Sequence, residues 1–126
     1  MAGPDDMTRM NHDPATRPND LEQLFIARAN ARHLHGLVAL YEPEAILIAD
    51  AGRQIATGRH EIRAALERTL ASQLTFVLGD QRPPFISGDL ALTSTRLANG
   101  AITAEVARRQ PDGSWLWAID RYNILE

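Results

Sequence analysis

The stretch NARHLHGLVALYEPEAILIAD, residues 30–50, changes character once, at Pro43. Before it, Leu34, Leu37, Val38 and Tyr41 fall on the inner face of a short helix, which the proline prevents from continuing. After it, Ile46, Leu47 and Ile48 favour extended backbone and the run stops at Ala51-Gly52, so Glu44–Asp50 reads as a strand. Upstream, Asn19 with Glu22 three residues later forms a capping-box signature, followed by Leu21, Leu24, Phe25 and Arg28 at i, i+3, i+4 and i+7 of a helix. Downstream, Thr57-Gly58 leads into a third helix, Arg59–Ala71. Its stripe is Ile62, Ala65, Leu66 and Leu70, and Glu61 sits at the positive end of the dipole. Beyond it the chain reads as strands: 74–78, 84–86, 90–97, 102–109 and 115–124. Gly88-Asp89, Asn99-Gly100 and Pro111-Asp112-Gly113 mark the turns. The order implies an α+β fold with helices on one face of a curved, mostly antiparallel sheet.

The 126 residues, 44% apolar and 23% charged, suit one domain. No apolar run approaches the roughly 20 residues of a membrane span. Zero cysteines exclude disulfides, thiolate metal sites and cysteine nucleophiles. The net charge of −3 disfavours nucleic acid as a partner. No secretory segment is legible, which makes the cytoplasm the expected compartment. Met1–Pro18, with three prolines and no apolar period, reads as a flexible leader or an arm on a partner subunit, and 19–126 as the domain.

Residues 30–41 resemble the corresponding stretch of ketosteroid isomerases. The strand after Pro43, Gly58-Arg59-His60-Glu61-Ile62-Arg63, Gly88-Asp89-Leu90-Ala91-Leu92 and Val106–Trp115 resemble the SnoaL-like group of the nuclear transport factor 2-like superfamily. The resemblance covers Leu21–Ile124. It implies a cone-shaped α+β barrel in which a curved sheet wraps three helices, and a homodimer joined through the sheet's outer face. The superfold hosts enzymes and binding proteins alike, so function rests on the site.

Strand alternation puts Leu116, Ala118, Asp120 and Tyr122 on one face of the last strand. By the resemblance this face lines the cavity, while Trp117 and Ile119 go to the outer, dimer-forming face. Thr103, Glu105 and Ala107 share a face of the preceding strand. Glu105 falls where ketosteroid isomerases carry a carboxylic acid kept protonated by its pocket. Adjacent inward carboxylates push each other's pKa apart, so Asp120 and Glu105 are the candidate base and acid. Phe25, Tyr41, Ala49, Phe76, Arg96 and Tyr122 are the candidate substrate contacts.

The same resemblance marks departures. Phe25 stands where the isomerases have the tyrosine of the oxyanion hole. Ala49 stands at the general base, and Asp50 points to the opposite face. Steroid isomerisation by the familiar route is therefore not expected.

His33, His35, His60 and His12 lack metal-ligand spacing, and neither a phosphate-binding glycine loop nor a nucleophile elbow is present. The expected function is acid/base chemistry, without cofactor or metal, on a small apolar carbonyl compound held in the cone. Two alternatives are a non-catalytic ligand-binding or dimerisation module, and an epoxide-hydrolase-like water addition using Asp120, Arg96 and Glu105. The latter requires Arg96 to point inward.

Overall fold

The computed structural model describes residues 13–126. Three helices, α1 (Asp20–Asn30), α2 (Leu34–Val38) and α3 (Gly58–Ser72), accompany eight strands. These are β1 (Tyr41–Ala49), β2 (Gln54–Thr57), β3 (Asp80–Gln81), β4 (Phe85–Ser87), β5 (Leu90–Thr93), β6 (Thr95–Arg96), β7 (Ala104–Arg109) and β8 (Trp115–Arg121). The main sheet runs β2-β1-β8-β7-β5-β4, and β3 pairs with β6 in a second, two-stranded sheet. Only β1 and β8 are parallel in the main sheet; the other pairs are antiparallel. The α+β fold expected from the sequence is what forms.

The helices bury the faces that their periodicity indicates. Leu21, Leu37 and Ile62 are fully enclosed, with Leu24, Arg28 and Leu66 close behind. Glu61 Oε1 accepts the Thr57 amide at 2.9 Å, capping α3. At α1, however, Asn19 is already helical and its side chain makes no cap. Asp20 Oδ2 instead braces the turn that leads into α1, accepting the Thr16 and Arg17 amides at 3.2 and 3.1 Å. Glu22 is thus released from the expected capping box.

Several segments depart from the sequence reading, among them β2 and β3, where no strand was expected. Tyr41 opens β1 instead of closing α2, and the β1–β8 register is interrupted between Tyr41 and Ile46, across Pro43, which has no amide for the ladder. Residues 74–78 form no strand. Asn30 replaces the missing ladder, donating to the Phe76 carbonyl at 2.9 Å and accepting the Phe76 amide at 2.8 Å. The expected strand over 90–97 splits at Ser94 into β5, paired with β7, and β6, paired with β3.

The end of the leader is part of the packed body. Ala15 is 2% exposed, and its carbonyl accepts the Trp115 amide at 2.9 Å. The buried Arg28 donates to the Asp13 and Gly36 carbonyls, each at 2.7 Å. Residues 1–12, including His12, lie outside the described residues.

Candidate functional site

The sheet register composes the site. Thr93, Glu105, Asp120, Leu47 and Ala56 are successive cross-strand partners from β5 to β2, so Glu105 and Asp120 lie directly opposite one another. In the adjacent row Ala91, Ala107, Trp117 and Tyr41 are partners in the same way. Strict alternation would put Trp117 and Asp120 on opposite faces. The β7–β8 register shows why both turn inward: Ala107 opposes Trp117 and Val106 opposes Ile119, leaving Ala118 as the extra residue of a bulge. Trp117 is 1% exposed and part of the cavity wall, which corrects its expected place on the outer face. Ile119 does face outward, 41% exposed.

These rows and the helices enclose a cavity of about 940 Å³. Asp120, Phe25, Tyr41, Ala49, Phe76 and Tyr122 all line it. The Trp117 ring lies 5.2 Å from that of Tyr41 and 5.9 Å from that of Phe25, both tilted. Arg59 donates twice to the Tyr41 carbonyl, at 2.9 and 2.6 Å, fixing the backbone from which the phenol projects.

Two candidates sit elsewhere. Arg96 is exposed on β6 beside Asp80 and does not line the cavity, because the split at Ser94 carries β6 into the second sheet. Glu105 is 2% exposed and lies against Asp120 without reaching the cavity surface.

Glu22 lines the cavity with Phe25 and Ile26, three and four residues on along α1. Sequence reasoning assigned its carboxylate to a cap. The available signal was its place beside the buried stripe, one residue from Leu21.

Asp120 Oδ2 accepts the Tyr41 hydroxyl at 2.6 Å. Burial lifts the Asp120 carboxyl to about 6, against the opposing effect of that hydrogen bond. Glu22 is lifted further, to about 8, by burial and then by the charge of Asp120. Burial, with the charges of Asp120 and Glu22, lifts Glu105 to about 9, although Thr93 Oγ1 donates to its Oε1 at 2.8 Å. Tyr41 is pushed well above its ordinary value by burial and by Asp120. At neutral pH Asp120 is the ionised member, since only its anion receives the phenolic hydrogen bond, while Glu22 and Glu105 keep their protons.

The arrangement offers a base and a proton donor on one apolar wall. His33 and His35 stand at the α1–α2 junction, their rings 6.5 Å apart, and His60 is exposed. Among the described residues no group of three or more His, Asp or Glu is arranged to hold a metal ion, and no helix is long and apolar enough to cross a membrane.

No family model and no curated protein matches this sequence. Solved structures do. A Thiobacillus denitrificans protein, named provisionally as a calcium/calmodulin-dependent protein kinase type II association domain, superposes with a TM-score of 0.71 at 17% identity, covering 87% of this chain and 96% of that one. A Streptomyces avermitilis protein, named provisionally as a dehydratase of the NTF2-like family, gives 0.66 at 16% identity over 98% and 100% of the two chains. A ketosteroid isomerase-like protein from Erwinia carotovora atroseptica gives 0.58 at 20% identity over 82% and 89%. With three helices held in a mostly antiparallel curved sheet, the chain has the nuclear transport factor 2-like, cystatin-like fold, as the resemblance in its sequence implies.

Proposed function

We propose that the protein binds a small, largely apolar carbonyl compound in the cone and moves a proton on it. Asp120 is the base, and Glu22 the donor to the carbonyl oxygen. The observation that carries this reading is that both carboxyl groups line one cavity with values of about 6 and about 8, so one is mostly ionised and the other mostly protonated at neutral pH.

In the reaction the Cα–H bond breaks and its proton passes to Asp120. The electron pair forms the carbon–carbon double bond, and the carbonyl π pair moves to oxygen, where Glu22 donates. Return of the proton to a conjugated carbon gives isomerisation; where the proton held by Asp120 first trades with solvent, its return to the same carbon gives exchange. Glu105, enclosed behind Asp120, is a positioning residue that stays neutral beside the charge.

The test is α-deuterium incorporation from D2O into cyclic ketones, followed by NMR. Wild type should exceed the buffer rate, and Asp120→Asn should lose about 100-fold or more, with an unchanged circular dichroism spectrum. Exchange retained in Asp120→Asn, or no exchange by wild type, overturns the reading.

Binding without catalysis is the second reading, supported by Phe25 and Ala49, which bring neither hydroxyl nor carboxylate to the wall. The water-addition alternative loses its arginine, since Arg96 is exposed on β6.

A homodimer through the sheet's outer face is supported by a second cross-strand row. Phe85, Leu92, Val106, Ile119 and Ile46 are successive partners across five strands. Phe85 is 76% and Leu92 50% exposed, more apolar bulk than a solvated face normally carries. Sedimentation velocity should give a dimer for wild type and a monomer for Ile119→Arg. A wild-type monomer at tens of micromolar, about the range of a weak specific interface, refutes the assignment.

A further inference from the structure

Among the described residues the wall of the cone is acidic and aromatic, with no buried cation and no histidine. All 13 basic residues of the chain are arginines. Of those described, Arg53 and Arg68 line the cavity; both are exposed, and Arg53 is already 3.3 Å from Asp50. The buried Arg28 spends its guanidinium on the Gly36 and Asp13 carbonyls.

Against this, Asp120 and Glu22 face the cavity. Glu105, opposite Asp120 on the same face of the sheet, is 2% exposed with its Oε2 lacking any hydrogen-bond partner. An ionised carboxylate on a partly buried wall, as Asp120 is, is stabilised by an opposite charge brought against it. Phe25, Tyr41, Phe76 and Trp117 line the same space, and their ring faces attract cations.

We propose that the cavity takes as its ligand a small organic cation, a protonated amine on an apolar body, with the ammonium group donating to Asp120 and the aromatic walls covering the rest. The inference concerns charge and does not depend on proton transfer at a carbonyl; a molecule bearing both groups satisfies both readings. Charge accounting agrees. Tyr41 from β1 donates to Asp120 and Glu105 from β7 lies opposite it, while Glu22 from α1, Arg68 from α3, Arg53 before β2 and Tyr122 after β8 line the same cavity. Of the carboxyl groups only Asp120, at about 6, is mostly ionised at neutral pH, since Glu22 and Glu105 stand at about 8 and about 9. One buried negative charge matches one monocation.

The test compares 2-phenylethylammonium with its neutral isostere 2-phenylethanol, by calorimetry and by tryptophan fluorescence. At neutral pH the ammonium ion should bind wild type at least about 10-fold tighter than the alcohol. The advantage should shrink as the pH falls through about 6, where Asp120 gains its proton. Asp120→Asn should lose the preference for the amine. Equal affinities in wild type, a preference that survives in Asp120→Asn, or no binding of either probe overturns the proposal. Amine binding without ketone exchange would uphold it and refute the catalytic reading.

Discussion

The hydrogen bond from the Tyr41 hydroxyl to Asp120, 2.6 Å long, sets which acid in the cone ionises first. It stabilises the Asp120 anion while burial opposes it, and the balance stands at about 6. Tyr41→Phe removes the stabilising half. The Asp120 value should therefore rise, and any low-pH limb of the exchange rate should move up with it. Stability at neutral pH should fall by about 1–3 kcal/mol, because a charged acceptor loses its donor. Carbon-13 NMR titration of the carboxyl groups checks this; an Asp120 value still at about 6 in the variant contradicts it. The Asp120–Glu105 pairing was legible through the family resemblance, which turns these faces of adjacent strands inward, with strand alternation grouping the residues on each face. Glu22 was not, because Asn19 and Glu22 carry the spacing of a capping box and only the fold shows Asp20 holding the turn instead.

At the scale of elements, the segment after α3 shows how side chains can replace a ladder. Residues 74–78 carry strand-like composition, yet Leu74 and Val77 are 86% and 70% exposed while Phe76, at 8%, closes the cavity wall. The Asn30 amide pins Phe76 at both its amide and its carbonyl, and the Arg32 guanidinium donates to the Leu70, Gln73 and Leu74 carbonyls. Asn30→Ala should cost about 1–3 kcal/mol for two backbone groups left without partners. It should also raise amide hydrogen exchange over residues 73–79 ahead of the sheet; exchange no faster there than in wild type would show that Phe76 packing alone holds the segment. A strand needs a neighbour, and composition cannot say whether one is in reach. The Ala118 bulge is the same kind of fact, since neither glycine nor proline marks it.

For the whole molecule, the three carboxyl groups make stability depend on pH. Each has a folded value above its ordinary one: about 6 against 3.8 for Asp120, about 8 against 4.5 for Glu22 and about 9 against 4.5 for Glu105. Between those limits the folded chain binds more protons than the unfolded chain, so stability falls as pH rises from about 4 to about 9. Thermal melts should show a higher Tm in mildly acidic than in mildly alkaline buffer. Glu105→Gln, which keeps an acceptor for Thr93, should flatten the alkaline part of that decline. A Tm that rises with pH across this window would mean that these groups are not buried as described. The same protonation makes the folded protein less negative at neutral pH than its formal −3.

By itself the sequence determined the three helices and the absence of thiol chemistry, and its family resemblance implied the inward faces of Asp120 and Glu105. The helices and the thiol exclusion follow from local periodicity and residue chemistry, which act within a few positions along the chain. The tertiary structure decided which of the inward groups share a cavity. Through the bulge at Ala118 it turned Trp117 into the wall; through the split at Ser94 it sent Arg96 out to the second sheet; and by tying the turn before α1 to Asp20 it freed Glu22. The first two depend on partners many residues away, and so does the Tyr41 hydrogen bond that, not carboxyl chemistry alone, separates the acid that ionises from the two that keep their protons.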